Sequence, residues 1–297
     1  MTDMTQSTQF CLSCPRRCAV DRAAGQLGLC GAPDAFRVAR IAPHMWEEPP
    51  ISGERGSGTV FFSGCSLRCV FCQNRAISRE GRGETLTDDA LTDRILHLQE
   101  MGVHNINFVT PTHYARRLRP FLEKLRPHLR VPVVYNCGGY EDPDALRGLD
   151  GLIDIYLPDF KYVSPELSRD YSAAADYADV AAVALSEMYR QVGGAVFDGE
   201  GMMKRGMIIR HLVLPGCRHD SMAVLRRLHE LLPVGEIRLS LMAQYTPEFA
   251  ADCAFANLKR RLTKFEYSSV LALAEELGFE GYMQSPESVG AKYTPEF

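Results

Sequence analysis

Three cysteines lie within eight residues, in the segment Gly64-Cys65-Ser66-Leu67-Arg68-Cys69-Val70-Phe71-Cys72. Because three residues separate the first pair and two the second, one compact loop can direct all three thiols to the same point. Three thiolates ligate three of the four irons of a [4Fe–4S] cluster and leave the fourth iron open to another ligand. A structural zinc ion would normally take a fourth protein ligand, and none lies adjacent. The spacing favours an open cluster over zinc or three buried free thiols.

A second group, Cys11, Cys14, Cys18 and Cys30, supplies four thiols within twenty residues. Four thiolates complete either a tetrahedral zinc site or a fully ligated iron–sulfur cluster, and the spacing does not choose between them. A short segment without a core of its own needs such a staple in order to fold. Two interpretations stay open: a purely structural metal, or an auxiliary cluster that relays electrons or contacts substrate.

The elements that must position these thiols alternate between strand and helix. Thr87 precedes Asp88 and Asp89 as a helix N-cap, and the apolar residues that follow recur at helical spacing until Gly102. A second helix is predicted over 176–191, and the glycine-rich stretch 193–206 is predicted to be a hairpin or an excursion without regular structure. Strand-like apolar runs occupy 59–63, 105–110, 133–136, 152–157, 207–214 and 236–242.

Strands separated by helices imply right-handed crossovers and a parallel sheet. We therefore predict an α/β fold, an open six-unit (βα)6 partial TIM barrel with an N-terminal Cys-rich appendage. The Cys65 loop follows the first strand, at the face where active sites of such barrels gather. The predicted division is a Cys-rich metal-binding segment over 1–55, the barrel over 56–245 and an extension packed on it over 246–297. The segment 46–50 is interpreted as a linker.

Composition excludes several classes of function. The chain has 33 Lys and Arg against 37 Asp and Glu, so no positive field favours nucleic acid as a partner. The polar N-terminus does not resemble a signal peptide, and the apolar runs are too short to cross a bilayer, which predicts a cytoplasmic protein without membrane contact. Ten cysteines in a reducing compartment indicate metal binding in preference to disulfides.

The segment SGCSLRCVFCQN resembles the cysteine loop of radical S-adenosylmethionine (SAM) enzymes, including the aromatic Phe71 before the last cysteine. Within that superfamily it is similar to the glycyl-radical-enzyme-activating group typified by pyruvate formate-lyase-activating enzyme. Asp159-Phe160-Lys161 looks like the Asp-x-Lys element that holds SAM there, and the segment 210–216 is similar to an Arg-x-x-x-x-Pro-Gly element. HNINFVTPTHY, VVYNCGGY and IYLPDFKY extend the resemblance over nearly the whole chain.

The resemblance implies an oxidoreductase with a [4Fe–4S] cluster on Cys65, Cys69 and Cys72. Flavodoxin or ferredoxin would supply the electron that cleaves SAM, and the resulting 5′-deoxyadenosyl radical would remove hydrogen from a glycine of a partner glycyl-radical enzyme. Two alternatives stay open: radical modification of another peptide or a small metabolite, and a non-catalytic iron–sulfur or zinc protein. The residues expected to bind SAM are Phe71, Thr110, Thr112, Asn136, Asp159, Lys161 and His211.

One departure from the family pattern concerns the amine of SAM. Many radical SAM enzymes bind it with a Gly-Gly-Glu element after the second strand, and here that place holds Thr110-Pro111-Thr112-His113. Hydroxyls and backbone carbonyls are expected to take over this contact. His113 and His211 are the candidate proton shuttles, whereas Cys137, Cys217 and Cys253 are predicted to be ordinary packed or exposed thiols.

Overall fold

A computed structural model of the chain describes residues 10–283, and its centre is one ten-stranded sheet. The strands run in the order β10-β9-β8-β6-β5-β4-β2-β1-β3, with β7 paired to β8 beside this path. The strands are β1 Phe36–His44, β2 Ser57–Phe62, β3 Glu84–Leu86, β4 Ile106–Val109, β5 Val133–Cys137, β6 Ile155–Pro158, β7 Val196–Phe197, β8 Met203–Leu212, β9 Arg238–Met242 and β10 Gly281–Met283.

The pairing confirms the predicted open α/β barrel. The six predicted strands correspond to β2, β4, β5, β6, β8 and β9, and each pairs in parallel with the next. Within residues 10–283 the two ends of the sheet do not pair with each other. Three strands were not predicted: β10 adds a seventh parallel strand next to β9, β1 lies antiparallel to β2 at the other side, and the short β3 pairs antiparallel with β1.

Nine helices in the described part of the chain pack around the sheet. Thr87 caps the first long helix as predicted, because its Oγ1 accepts from Ala90 N at 3.2 Å. The hairpin predicted over 193–206 is also confirmed, since β7 pairs antiparallel with β8. The helices are α1 Pro49–Ser52, α2 Arg75–Ser78, α3 Asp88–Glu100, α4 Ala115–Leu125, α5 Pro143–Arg147, α6 Pro165–Ser172, α7 Tyr177–Val192, α8 Arg218–Leu231 and α9 Lys264–Glu276.

The central strands are buried along their whole length. Every residue of β2, β4, β5 and β6 is buried, as expected where helices cover one face of a parallel sheet and the barrel interior covers the other. Aromatic rings fill the space next to β1 and β2, where Phe36 contacts Phe62, Tyr114 and Phe121. This packing fixes the end of β2 from which the Cys65 loop departs.

The predicted division into three parts stays a prediction, although two pairings bear on where its borders lie. Strand β1 comes from the N-terminal segment and pairs with β2 of the barrel. The longest described stretch of that segment without helix or strand is 10–35. At the other end, β10 continues the sheet from within the predicted extension. In residues 10–283 no helix combines the length and apolar character needed to cross a membrane.

Candidate active site at the C-terminal ends of the strands

The Cys65 loop leaves β2 through a turn that only glycine can make. Gly64 has φ +93°, and a Cβ at this position would lie 2.6 Å from the carbonyl oxygen of Cys30. Arg68, inside the loop, also adopts a left-handed conformation, with φ 54°. Such conformations cost free energy in non-glycine residues and tend to persist at functional sites. The turn and the strained residue together direct the loop into the mouth of the barrel.

Cys65, Cys69 and Cys72 line one cavity of about 650 Å³. Each sulfur accepts one hydrogen bond: Cys65 Sγ from Leu67 N at 3.4 Å, Cys69 Sγ from Ser172 Oγ at 3.0 Å, and Cys72 Sγ from Ser78 Oγ at 3.4 Å. The thiolates that bind an iron–sulfur cluster usually accept such hydrogen bonds, which tune the reduction potential of the cluster.

The electrostatics of these thiols also suit a bound cluster. Burial, and then the neighbouring Cys69, raise the pKa of the Cys65 thiol to about 12, and burial likewise raises the pKa of Cys72. As free thiols, Cys65 and Cys72 therefore stay protonated at neutral pH, and a cationic centre is needed to hold them as thiolates. Three convergent sulfurs with a hydrogen-bond donor each fit the donor set of an iron–sulfur cluster.

Asp159 and Lys161 stand on the same cavity, after β6. Lys161 Nζ lies 2.5 Å from Asp159 Oδ2. Burial disfavours the charged form of Lys161, but Asp159, and then the thiols of Cys69 and Cys72, outweigh it and hold the pKa of the ammonium above its usual value. The positively charged ammonium of Lys161 therefore lies on the same cavity as the cysteine sulfurs.

Tyr177 of α7 positions this pair from behind. Its hydroxyl accepts from Lys161 N at 3.0 Å and lies 2.8 Å from the carbonyl oxygen of Gly138 and 3.0 Å from that of Asp159, either of which can receive its proton. Gly139 permits the close approach, since a Cβ there would lie 2.1 Å from the Asp159 carbonyl oxygen. One buried hydroxyl thus joins the ends of β5 and β6.

Five of the seven residues predicted to bind SAM line the cavity with the cysteines: Phe71, Thr110, Asn136, Asp159 and Lys161. Thr112 and His211 do not. The Thr112 hydroxyl is buried and donates to Glu141 Oε1 at 2.6 Å. Side chains alternate along a strand, so Arg210 and Leu212 face the cavity while His211 faces away from it. The geometry gives no support to the prediction for these two residues.

The two histidines proposed as proton shuttles are buried and neutral. Nε2–H of His113 donates to the Ser63 carbonyl at 2.9 Å, and Nδ1–H of His211 donates to that of Phe160 at 2.7 Å. Burial lowers the pKa of His113 to about 3 and that of His211 to about 4. Neither ring lines the cavity, so the geometry does not support a shuttle at either position.

Glu47 and Glu48 were missed, because the segment 46–50 was interpreted as a linker. They line the cavity and pair with Arg210: Glu48 Oε1 lies 2.7 Å from its Nε, and both carboxylates contact Nη2. Glu47 Oε1 also accepts from Asn107 Nδ2 at 3.0 Å and Asn136 Nδ2 at 3.3 Å. The available signal was Arg210 itself, since an arginine in a buried strand needs acidic partners.

Burial opposes the ionised form of Glu48, but the Arg210 guanidinium outweighs it. Together with the Ser240 hydroxyl it holds the pKa of the Glu48 carboxyl below its usual value. The pKa of Arg210 is likewise raised, because its two carboxylate partners overcome the cost of burial. The pair therefore stays ionised in the interior.

Comparison with known proteins matches the chain to one protein family. The model described as the Radical SAM superfamily matches residues 59–212, from β2 to the end of β8 and just over half of the chain. An uncharacterized protein of Methanocaldococcus jannaschii is 28% identical over 280 residues, which are 91% of this chain and 75% of that protein.

The solved structures that resemble the chain include the following two, each with a TM-score of 0.49. Methylornithine synthase is 15% identical and matches over 76% of this chain and 70% of its own. A radical SAM methyltransferase from Sphaerobacter thermophilus is 13% identical and matches over 79% and 68% respectively.

Replacing Glu48 by Gln is expected to lower the free energy of unfolding by roughly 3 kcal/mol, because it removes one partner of a buried charge. The matched control is Glu84→Gln, which breaks an exposed pair with Arg94 and should change stability little. Urea unfolding of both variants under anaerobic conditions measures the difference. Equal stability of the two variants would show that the interior pair contributes no more than a surface one.

The buried histidines predict a pH dependence. The pKa values of His113 and His211 in the folded chain, about 3 and about 4, lie below the ordinary value of 6.5. Below pH 6.5 both rings are therefore protonated in the unfolded chain while they stay neutral in the folded chain. Stability should fall as pH decreases from 6.5 towards 4, by up to about 1.4 kcal/mol per pH unit for each ring. Urea unfolding at several pH values should give a shallower slope for His211→Gln. The exposed His128→Gln serves as control and should keep the original slope.

Proposed function

Because this chain belongs to the radical SAM superfamily, whose members use a [4Fe–4S] cluster and SAM, we propose that Cys65, Cys69 and Cys72 hold the cluster here. The observation that carries this assignment is the convergence of three thiols of one loop, each with its own hydrogen-bond donor, on the cavity that also contains Asp159 and Lys161. When bound, the cluster and SAM together supply the 5′-deoxyadenosyl radical that removes hydrogen from a substrate.

The polar residues of the cavity would bind and orient SAM. Lys161, held by Asp159 and Tyr177, offers an ammonium to the SAM carboxylate. Thr110 lines the cavity, and its hydroxyl makes no hydrogen bond to the protein within residues 10–283. We therefore assign it, with nearby backbone carbonyls, to the SAM amine in place of the Gly-Gly-Glu element. The amide of Asn136 is already hydrogen-bonded to Glu47 and Arg210, so Asn136 forms part of the cavity wall and is not assigned a polar contact with SAM.

The apolar side chains of the cavity would exclude water from the radical. Phe71 packs edge-on against Tyr245 with ring centroids 6.1 Å apart, and Leu67, Leu212 and Leu214 complete this lining. A carbon radical abstracts hydrogen indiscriminately, so a dry and closely packed wall limits its side reactions. Phe71 thus supports the cluster loop and shields the reacting centre.

For the substrate we favour a glycine of a partner glycyl-radical enzyme, on the resemblance of the cysteine loop and of the Asp-x-Lys element. A volume of about 650 Å³ lies within the range of sites for drug-sized ligands and leaves limited room beside SAM. A folded domain does not fit, so a protein substrate has to present a loop or an extended segment. The electron would come from flavodoxin or ferredoxin, as in other radical SAM enzymes.

Cleavage of SAM tests the assignment of the cluster. After anaerobic reconstitution with iron and sulfide and reduction by dithionite, the protein should convert SAM to 5′-deoxyadenosine. Cys69→Ser should lower this rate by at least about 100-fold, because a cluster ligand is lost. Cys253→Ser, outside the cavity, should leave it unchanged. A reduced cluster that binds SAM without cleaving it would favour the non-catalytic alternative.

The substrate is tested by electron paramagnetic resonance on a glycyl-radical enzyme of the same organism. Its glycyl signal should appear only with SAM, reductant and this protein, and not with the Cys69→Ser variant. When that enzyme carries α-deuterated glycine, deuterium should pass into 5′-deoxyadenosine. If no partner gains the signal while another peptide or a metabolite transfers deuterium, the substrate class proposed here is wrong.

A further inference from the structure

The segment 10–35 buries two of its four cysteines, leaves Cys11 and Cys18 half-buried, and exposes three large apolar side chains. It contains no helix or strand, and Phe10, Leu27 and Leu29 are 53%, 57% and 40% exposed. Cys14 and Cys30 are only 4% and 7% exposed. This reverses the usual pattern in which apolar residues form the core. A segment of this size without a core needs a cross-link or a metal to hold it.

The backbone of this segment brings the thiols together. Cys11 N–H donates to Val20 O at 2.9 Å, and Cys11 O accepts from Ala19 N at 3.1 Å, which places Cys11 beside Cys18. At Gly28 a Cβ would lie 2.9 Å from Cys18 Sγ, so the glycine makes room for that sulfur. Arg17 and Ala19, on either side of Cys18, have φ 41° and 52°.

The four thiols share one electrostatic neighbourhood. Cys14 lies within electrostatic range of Cys30 and Cys11, and Cys30 lies within range of Cys11 and Cys18. Arg22 Nη2 donates to Cys30 Sγ at 3.2 Å, which supplies the charge-assisted hydrogen bond expected beside a metal-bound thiolate.

The arrangement suits a cluster better than a single ion. Zinc–sulfur bonds of about 2.3 Å require four thiolates to crowd around one point. Between Phe10 and Met283 no three His, Cys, Asp or Glu side chains are placed to hold one metal ion. This is equally true of Cys65, Cys69 and Cys72, the triad assigned to the superfamily's [4Fe–4S] cluster. A cubane spaces its thiolates more widely than zinc does, because each sulfur binds a different iron.

We propose that Cys11, Cys14, Cys18 and Cys30 hold a second, fully ligated [4Fe–4S] cluster next to the Cys65 loop. The existence of this site is independent of the proposed function. Only its electronic coupling to a first cluster rests on that function. With four protein ligands it has no open iron for SAM, so its chemistry is restricted to accepting and donating electrons.

Arg16 connects the two groups of thiols. It lies between Cys14 and Cys18, and its Nε donates to the Ser66 carbonyl at 2.8 Å, one residue from Cys65. Its Nη2 donates at 3.2 Å to the Ser172 carbonyl, and the hydroxyl of the same serine donates to Cys69 Sγ. This bonded path offers a route for one electron from reduced flavodoxin or ferredoxin. The electron first reduces the outer cluster, on Cys11, Cys14, Cys18 and Cys30. The outer cluster is then reoxidised as it reduces the inner cluster, on Cys65, Cys69 and Cys72, and no covalent bond changes.

Metal content of the reconstituted full chain tests the site. We expect about eight irons and eight sulfides per chain in the wild type, and about four of each in Cys65/Cys69/Cys72→Ala. The Cys11/Cys14/Cys18/Cys30→Ala variant should retain the other four and still cleave SAM with dithionite. If the Cys11/Cys14/Cys18/Cys30→Ala variant fails to fold, the Cys65/Cys69/Cys72→Ala variant still decides whether the second cluster exists, because its N-terminal thiols are unchanged.

The outcomes separate this inference from the proposed function. About four irons in the wild type, all lost with Cys65, Cys69 and Cys72, would overturn the second cluster and leave the function standing. One zinc per chain in that triad variant would also overturn it. If the triad variant instead keeps all the iron of the wild type, the proposed function fails and the N-terminal site stands.

Coupling between the clusters is tested by electron paramagnetic resonance. The spectrum of the reduced wild type should differ from the sum of the two variants' spectra, because two nearby paramagnetic clusters interact magnetically. Arg16→Gln should retain about eight irons and slow reduction of the inner cluster by flavodoxin at least about tenfold, whereas Arg17→Gln, outside the path, should not. A spectrum equal to the sum would overturn the coupling.

Discussion

The open barrel is held across its interior by one buried ionic network. Glu47 and Glu48 lie between β1 and β2, near one end of the parallel sheet, and contact Arg210 on β8. Glu47 also accepts hydrogen bonds from Asn107 on β4 and Asn136 on β5. In a closed barrel, backbone hydrogen bonds would join the first and last strands. Here side-chain charges connect strands that are not neighbours, and the shape of the cavity depends on them.

That network also sets the electrostatics of the site. Burying charges costs several kcal/mol per ion, and only well-placed partners recover this cost. In formal charges, two carboxylates against one guanidinium leave an excess of one negative charge at this part of the cavity. Asp159 and Lys161 balance each other near the thiols. The cavity therefore favours a cationic group on the side of Glu47 and Glu48, which matches the positive charge of a cofactor such as SAM, while the Lys161 ammonium can still donate a hydrogen bond to a carboxylate.

The sequence was informative where function depends on local spacing and uninformative where it depends on distant contacts. The Cys65 loop could be predicted from its cysteine spacing after a recognisable apolar strand, and Asp159 and Lys161 from the resemblance of their Asp-x-Lys element to that of the family. Strand β1 mixes charged and apolar residues, and β3 and β10 are only three residues long, so none of the three carries a strong pattern. The roles of Glu47 and Glu48 depend on Arg210, more than 160 positions away, a separation that periodicity cannot bridge.

The same distinction explains why Thr112 and His211 were expected at the site and lie outside it. His211 belongs to the correct strand, but the side on which a side chain falls changes with every residue, and a shift of one position reverses it. Thr112 lies beyond the end of its strand, in a short 3-10 helix over Thr112–Tyr114. Gly64 shows the converse constraint. Because Gly64 packs against the Cys30 carbonyl, the N-terminal segment limits the paths open to the turn that begins the cluster loop. Metal bound by that segment would therefore add to the stability of the loop that holds Cys65, Cys69 and Cys72, while the three thiols of that loop can still bind a cluster by themselves.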